Sequence, residues 1–194
     1  MNALILLATL KKDGLSNTQT LCEFLTLKLM AAKVQVKTVR LAELNILPGT
    51  YSDMGDGDEW PGVLEEILAA DILIFATPIW WNNISSIMQR VIERLDELQD
   101  HVIEGKPSGL EDKVAGIVVT GDSDGAQSLI GGLANFFNGI GLPLPPFSTL
   151  TVLWEKQAKN KKTSRKVLME YYKKEYSDTA EKMVKQLVRA VQVS

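Results

Sequence analysis

The sequence predicts an α/β fold in which helices cover both faces of a five-stranded parallel sheet, a three-layer sandwich. Five short apolar segments alternate along the chain with segments whose apolar residues recur at helical spacing. Several of these short segments are apolar over almost their whole length, which is typical of strands buried on both faces. Such an alternation implies parallel strands joined by right-handed crossovers. At 194 residues, we expect one domain spanning 1–194.

Five segments carry the strand pattern. Residues 3–8 are apolar throughout, residues 71–76 are apolar after Asp71, residues 114–120 are apolar up to Thr120, and residues 147–153 complete the set. Residues 34–41 alternate instead, so this second strand is expected nearer an edge of the sheet. In the common doubly wound strand order 2-1-3-4-5, strands one, three and four are neighbours.

The helices are predicted between and after these strands. The first spans residues 16–30 with Ser16 or Asn17 as its N-cap, and a short second helix begins at Pro61. Further helices are expected over residues 84–98 and 126–137, and the tail is helical from residue 163 onward.

Composition and charge exclude several classes of protein. The 21 basic and 24 acidic residues give a net charge of −3, which provides no electrostatic footprint for nucleic acid or for an anionic membrane. The single cysteine, Cys22, excludes an internal disulfide framework, and its helical position predicts a buried apolar role. No apolar run approaches the length of a membrane span, and the first residues lack a basic leader, so a cytoplasmic location is expected.

The loop after the first strand suggests an anion site. It turns at Gly14 and enters a helix whose first residues are Ser16, Asn17 and Thr18, with Lys11 nearby. The N-terminus of a helix presents free N–H groups and the positive end of its dipole, so these residues could hold a phosphate. The alternative is that Ser16 or Asn17 only caps the helix. The loop matches neither a Walker sequence nor a dinucleotide fingerprint.

The loop after the third strand, residues 77–84, is the most unusual stretch of the chain. It reads T-P-I-W-W-N-N-I, with two adjacent tryptophans beside two asparagines. Planar side chains and amides at the carboxyl end of a strand could line a flat aromatic ligand and bond its polar edge. The alternative is that Trp80 or Trp81 packs beneath the loop while Asn83 caps the next helix.

The loop after the fourth strand carries Gly121 and Gly125, which would let the backbone approach a ligand closely and would equally suit a tight turn. Because strands one, three and four are expected side by side, the three loops should form one continuous rim. A phosphate at the first loop with a flat ring between the other two describes a mononucleotide with a tricyclic base. FMN fits this description.

At these loops the sequence resembles the NADPH-dependent FMN reductase and quinone reductase branch of the flavodoxin-like superfamily. The family pattern G-S-P-R-x-x-G-x-S/N-T after the first strand is similar to residues 8–18, with Ala8, Leu10 and Lys11 in place of the usual glycine, proline and arginine. The pattern T-P-x-Y-W/x-x-x-x-S is similar to residues 77–85, the most specific match. The resemblance covers about the first 150 residues.

This resemblance implies an FMN-dependent oxidoreductase that takes hydride from NAD(P)H and passes it to a quinone, a flavin or a similar small acceptor. It also implies a homodimer. The residues expected to hold the FMN phosphate are Thr9, Lys11, Ser16, Asn17 and Thr18. Those expected to contact the ring system are Pro78, Ile79, Trp80, Trp81, Asn82, Thr120, Gly121 and Gly125. His101 lies outside these loops and is expected on the surface without a catalytic role.

Two other functions remain open at this point. An electron-carrier flavodoxin is disfavoured by the modest charge, because such carriers are usually strongly acidic. The second open function is that of a protein-interaction module that keeps the fold but binds no flavin.

Two charged clusters are expected to be solvated instead of functional. The first is an acidic loop that misses the spacing of a calcium site and contains Asp53, Asp56, Asp58 and Glu59. The second is a basic linker that could alternatively meet the extra phosphate of NADPH and contains Lys156, Lys159, Lys161 and Lys162.

Overall fold

A five-stranded parallel sheet in the order β2-β1-β3-β4-β5 forms the centre of the molecule, as predicted. The computed structural model describes residues 1–158 and 161–193, so Lys159 of the basic linker lies outside the described residues. The strands are β1 (Asn2–Leu7), β2 (Gln35–Arg40), β3 (Ile72–Pro78), β4 (Val114–Gly121) and β5 (Thr149–Leu153). The second strand lies at an edge and has no fully buried residue, which confirms the expectation from its alternating pattern.

Helices cover both faces of this sheet. On one face lie α2 (Trp60–Ala69), α3 (Ser86–Arg94), α4 (Asp96–Ile103) and α5 (Ala126–Gly139). On the other lie α1 (Asn17–Ala31), α6 (Arg165–Glu175) and α7 (Ser177–Val193). Cys22 is buried in this second layer, as predicted, and burial raises the pKa of its thiol far above the usual range. Among the described residues, none of the helices has the length and apolar character needed to cross a bilayer.

Two predicted helices are each divided in two. The segment 84–98 breaks at Leu95, a fully buried residue that ends α3 and precedes α4. The tail breaks at Tyr176, which separates α6 from α7. The break lets α6 pack on α1 while α7 packs on the sheet at Gly116, where a Cβ atom would lie 2.8 Å from Met183 Cε. Helical spacing of apolar residues continued across both breaks, so the sequence pattern did not reveal them.

The prediction of a solvated acidic loop is wrong for Asp58. Its side chain has no exposed area and forms an ion pair of 2.6 Å with Arg94, which is equally buried. Backbone N–H groups of Leu47, Met54 and Trp60 also donate to the Asp58 carboxylate. The other three acidic residues of the loop, Asp53, Asp56 and Glu59, are exposed.

Arg94 connects this loop to α3. Its guanidinium donates to the carbonyl oxygens of Tyr51 at 2.8 Å and of Leu47 at 2.9 Å, in addition to Asp58. The burial of Asp58 opposes its ionisation, but the hydrogen bonds from Arg94 and from three backbone N–H groups outweigh this effect and hold the pKa of Asp58 well below its usual range. The residues between β2 and α2 are therefore fastened to α3, the helix that follows residues 79–85, which we call the tryptophan loop because it carries Trp80 and Trp81.

Replacing Asp58 with alanine should lower the free energy of unfolding by about 3 to 5 kcal/mol, because it leaves the buried guanidinium of Arg94 without its counter-ion. Urea unfolding at pH 7 measures the change. The matched control is Glu104→Ala, which removes an exposed ion pair with Lys106 and should cost less than about 1 kcal/mol.

The difference in free energy of unfolding between the wild type and Asp58→Ala should also depend on pH. A carboxyl group whose pKa is depressed by folding contributes stability above its unfolded pKa of about 3.9 and loses that contribution as the pH falls towards the folded value. The stability difference between the wild type and Asp58→Ala should therefore narrow below about pH 4. A difference that stays constant down to pH 2 would contradict the ionised pair.

Candidate functional site

Three loops meet at the carboxyl ends of β1, β3 and β4, which are paired in parallel. We call these loops, residues 8–16, 79–85 and 121–125, the site rim. Because the three strands are hydrogen-bonded neighbours, their loops leave the sheet side by side at one edge. The predicted residues are thus brought to a common region.

The first loop of the site rim is fixed by a pair of buried hydroxyls. Ser16 is the N-cap of α1, since its Oγ accepts a hydrogen bond of 3.2 Å from the backbone N–H of Gln19. The same hydroxyl donates to Thr9 Oγ1 at 2.9 Å. Gly14 has a φ of 76°, and no atom lies within 4 Å of the position of a Cβ there. Open space therefore lies beside Gly14, two residues before the N-cap of α1.

Two cationic side chains lie along this loop. Lys11 Nζ donates to the carbonyl of Leu15 at 2.6 Å. Arg40, the last residue of β2, donates to the carbonyl of Lys12 at 2.7 Å and to Gln19 Oε1 at 2.5 Å. Arg40 was not among the residues predicted from the sequence, although it ends a strand that neighbours β1 and so lies at the same edge of the sheet. Arg40 Nε is also paired with Glu43 at 2.6 Å, so Lys11 is the cation of the two that adds to the positive potential at the N-terminus of α1.

The next two predicted residues hold neighbouring elements together. Asn17 Nδ2 donates to the backbone carbonyl of Gln157 at 2.9 Å. Thr18 Oγ1 and Thr120 Oγ1 share a hydrogen bond of 2.7 Å, and both threonines are buried. These contacts tie the first turn of α1 to β4 and to the turn after β5.

The tryptophan loop forms a tight two-residue turn. The backbone N–H groups of Trp80 and Asn83 each donate to the other's carbonyl at 2.9 Å. The two central residues, Trp81 and Asn82, have φ values of 50° and 62°, the signature of a type I′ turn. Trp80 is 42% exposed and Trp81 is 93% exposed. The alternative in which Trp81 packs beneath the loop is therefore wrong.

Ser85, and not Asn83, caps the helix that follows. Its Oγ accepts a hydrogen bond of 3.1 Å from the N–H of Met88 and donates to the carbonyl of Ala8 at 2.7 Å. The backbone N–H of Ser85 in turn donates to Thr77 Oγ1 at 3.0 Å. A single buried serine thus joins the end of β1 to the tryptophan loop and to α3. Nothing in the local sequence distinguished it from Asn83 as a cap.

The third loop packs directly on the second. Gly125 has a φ of 89° and precedes α5, and a Cβ atom there would lie 2.4 Å from Asn82 Oδ1. At Gly121, a Cβ would lie 2.8 Å from Ile79 Cδ1. The N–H of Ile79 donates to the carbonyl of Thr120 at 2.9 Å, and Pro78 is the register partner of Thr120. The glycines are therefore needed for close contact between loops 79–85 and 121–125.

Gln157 is a second residue that supports the site but was not predicted from the sequence. Its side-chain amide donates to the carbonyls of Gly121 and Val152, both at 2.9 Å, and its Oε1 accepts from the hydroxyl of Tyr172 at 2.8 Å. Because its backbone carbonyl also accepts from Asn17, Gln157 links α1, β4, β5 and α6. It lies after the last strand beside the basic linker, and no local pattern marks it as buried.

The site rim carries more cations at its first loop than at its third. Lys11, Lys12 and Arg40 lie at the first loop together with the carboxylates of Asp13 and Glu43, whereas the third loop carries the exposed carboxylates of Asp122 and Asp124. An anion would be favoured at the N-terminus of α1, and the tryptophan loop between the two ends offers planar apolar surface. The arrangement can therefore hold a molecule with a phosphate at one end and a flat ring at the other.

Replacing Gly125 with alanine should lower the free energy of unfolding by about 1 to 3 kcal/mol, because an L residue is strained at a φ of 89° and its Cβ would overlap Asn82. Thermal and urea unfolding measure the loss. Gly131 is the matched control: it lies within α5 with no atom within 4 Å of its Cβ position, so Gly131→Ala should stabilise the protein by about 0.5 to 1 kcal/mol. Equal effects of both substitutions would contradict the packing of the two loops.

Comparison with known proteins gives curated relatives of two kinds. The chain is 31% identical over 156 residues to 8-demethyl-8-aminoriboflavin-5′-phosphate synthase of Streptomyces davaonensis, covering 75% of this chain and 61% of that protein. It is 32% identical over 151 residues to a Mycobacterium bovis protein named divalent metal cation transporter MntH, covering 75% of this chain and 22% of that protein. The chain thus spans less than two thirds of the length of either curated relative.

Solved structures share the fold. RosB with bound 8-demethyl-8-formylriboflavin-5′-phosphate superimposes with a TM-score of 0.79 at 24% identity, over 100% of this chain and 79% of that one. The NAD(P)H:quinone oxidoreductase of Methanothermobacter marburgensis does so with a TM-score of 0.62 at 15% identity, over 96% of each chain.

The sequence profile of one family, described as NADPH-dependent FMN reductase, matches residues 1–157. The matched residues include all three loops of the site rim and the strands that precede them. The chain therefore belongs to the NADPH-dependent FMN reductase family.

Proposed function

We propose that the chain binds FMN at the site rim and, as a single FMN-binding domain, transfers electrons from NAD(P)H to a small-molecule acceptor such as a quinone or a flavin. One observation carries this proposal. In a chain of this family, the N-terminus of α1, which would favour an anion, lies next to the tryptophan loop because the preceding strands β1 and β3 are neighbours in the sheet. FMN carries one phosphate and one flat ring system, so it matches both features.

The donor set at the first loop fits a phosphate. Thr9 supplies a hydroxyl and Lys11 supplies a cation. Backbone N–H groups are supplied by Ser16, whose own hydroxyl donates to Thr9, and by Asn17 and Thr18 in the first turn of α1. Because the side chains of Asn17 and Thr18 are engaged with Gln157 and Thr120, we assign the phosphate contacts of these two residues to their backbone N–H groups. The open space at Gly14 leaves room for the ligand.

The second and third loops fit a planar ring. We propose that Pro78, Ile79, Trp80, Trp81, Asn82, Thr120, Gly121 and Gly125 border it. The glycines let backbone and ring approach each other, and exposed aromatic surface at Trp80 remains for stacking. Asn82 offers an amide beside the ring edge, where it packs against Gly125. The buried Thr120 acts through its backbone, since its hydroxyl is bonded to Thr18.

The names of the relatives are consistent with a ligand of this type. The Streptomyces davaonensis protein is named as the synthase of a modified riboflavin 5′-phosphate, and RosB was solved with a formylated riboflavin 5′-phosphate bound. A further fold relative is described as an NADH:FMN oxidoreductase. These descriptions support a flavin mononucleotide as the ligand of the present site.

When bound, FMN would supply the two-electron chemistry that joins nicotinamide oxidation to reduction of the acceptor. The overall reaction with a quinone, NAD(P)H + H⁺ + quinone → NAD(P)⁺ + hydroquinone, is balanced in atoms and charge. The chain positions the reactants and provides the electrostatic environment, and the proposal assigns no side chain as acid or base. His101, the only histidine, lies exposed on α4, as expected.

We also propose a location and an assembly for the protein. We propose that it is cytoplasmic, which is consistent with a single cysteine that is buried and free of disulfides. We propose a homodimer by analogy with the FMN reductase family.

The first experiment is to load the purified protein with FMN, remove the excess, and record the visible spectrum anaerobically before and after adding NADPH. Retained flavin absorbance that NADPH bleaches is the expected result. Retained flavin that NADPH does not bleach would instead indicate an electron carrier reduced by a protein partner. Loss of all flavin during removal of the excess would contradict FMN binding.

The phosphate site is tested by comparing FMN with riboflavin, which lacks the phosphate. Lys11→Ala should weaken FMN binding about tenfold, because a charge-assisted contact is lost, and leave riboflavin binding unchanged. Flavin fluorescence titration of the apoprotein measures both affinities. Lys106→Ala, which removes an exposed lysine after α4, is the control and should change neither. An equal loss for both flavins would contradict a phosphate contact at Lys11.

A further inference from the structure

Gln157 contacts both ends of the site rim. Its backbone carbonyl accepts a hydrogen bond of 2.9 Å from Asn17 Nδ2, in the first turn of α1. Its side-chain amide donates to the carbonyl of Gly121, the last residue of β4 and the first of the third loop, also at 2.9 Å. The first contact lies at the proposed phosphate end of the site and the second at the proposed ring end. One residue therefore joins the two groups of contacts that a bound FMN would have to reach.

The side-chain amide of Gln157 is satisfied in only one orientation. Its Nε2 lies 2.9 Å from the carbonyl oxygens of Gly121 and Val152, and only an N–H group can donate to them. An amide turned over would place its oxygen against these two acceptors. Oε1 is therefore left facing the hydroxyl of Tyr172, which has to act as the donor across 2.8 Å.

Tyr172 provides this bond from a helix that lies beyond the family match. The matching profile ends at Gln157, whereas Tyr172 belongs to α6. Tyr172 is fully buried, and its ring packs on that of Phe24 in α1 with the centroids 6.1 Å apart. Burial raises the pKa of Tyr172 far above its usual value, so the hydroxyl stays protonated and available as a donor. Without it, the buried amide oxygen of Gln157 would carry the cost of an unmade hydrogen bond.

A fixed separation between the two ends matters for a ligand that carries two binding groups on one chain. The phosphate and the ring of FMN bind together with full advantage only when their contacts stand at the distance that the ligand spans. If the ends can move relative to each other, part of the binding free energy is spent on ordering them. The Thr18–Thr120 hydrogen bond joins α1 to β4 one residue before Gly121, and Gln157 holds the residue at which the third loop begins.

We propose that Gln157, with its amide oriented by Tyr172, is a positioning residue that holds the phosphate and ring contacts of the site at the separation that one FMN molecule spans. The inference rests on the proposed function, because it takes FMN as the ligand. Both residues act through others, and neither side chain is assigned a contact with the flavin. Their loss should therefore reduce the advantage in affinity that FMN has over riboflavin, which lacks the phosphate.

The test compares FMN and riboflavin on the variant Tyr172→Phe, which keeps the buried ring and removes only the hydroxyl. Flavin fluorescence titration of the apoprotein should show an FMN Kd that rises about fivefold, in line with the loss of one buried hydrogen bond. The riboflavin Kd should rise less than about twofold. A substitution that only destabilised the fold would weaken the binding of both flavins by the same factor, so the ratio of the two Kd values separates positioning from a structural role.

A second variant removes the link itself. Gln157→Met has a side chain of similar length that makes none of the three hydrogen bonds of the amide, and it should raise the FMN Kd about tenfold. Adding Tyr172→Phe to Gln157→Met should not change the ratio of the two Kd values further, because Tyr172 acts only through the amide. Tyr172→Phe decides the question alone if Gln157→Met does not fold.

Tyr171→Phe is the matched control. It removes a hydroxyl from the preceding residue of α6 and keeps the ring, which stacks on that of Trp154 with the centroids 3.8 Å apart. Both flavins should bind this variant with the Kd values of the wild type.

Several results would overturn the inference. FMN and riboflavin Kd values that rise by equal factors in Tyr172→Phe would do so, since they would indicate a structural role alone. A double variant with a ratio lower than that of Gln157→Met would show that Tyr172 does not act through the amide. If the wild type binds no FMN, the proposed function fails together with this inference. If the wild type binds FMN more tightly than riboflavin and the variants keep that ratio, the inference alone fails.

Discussion

Parallel pairing of β1, β3 and β4 is the constraint on which the rest of the structure depends. The register pairs Leu7, the last residue of β1, with Ala76, and Pro78, the last residue of β3, with Thr120, so all three strands end near the same edge of the sheet. Loops that are distant in sequence therefore leave the sheet side by side. Everything proposed for the site, from the anion-binding helix to the tryptophan loop, follows from this shared edge.

Short hydrogen bonds and close packing then fix the loops to one another. Ser85 joins the end of β1 to α3, the Thr18–Thr120 pair joins α1 to β4, and Gly125 lies against Asn82. Most of these groups are buried, so each unmade bond would leave a desolvated polar atom. The site is consequently preorganised, and a ligand would meet it with little loss of loop entropy.

Elements outside the family match also support the site. The profile ends at Gln157, whereas Tyr172 on α6 donates to the side chain of that residue, which in turn bonds Gly121. Within the matched residues, the buried Asp58–Arg94 pair fastens the loop between β2 and α2 to α3. The third loop of the site rim and the helix after the tryptophan loop are thus each held by a contact from a distant segment.

The sequence predicted the five strands, helices on both faces of the sheet and the three loops, because these follow from local periodicity and from the topological rules of parallel sheets, and the strand order followed from the common doubly wound arrangement. It also predicted Ser16 as one of two possible caps. Only the tertiary structure decided that Asp58 is buried against Arg94, that Arg40 and Gln157 join the site, and that Trp81 faces solvent. These features depend on partners up to 140 residues away, such as Gln157 for Asn17, and local pattern carries no information about such contacts.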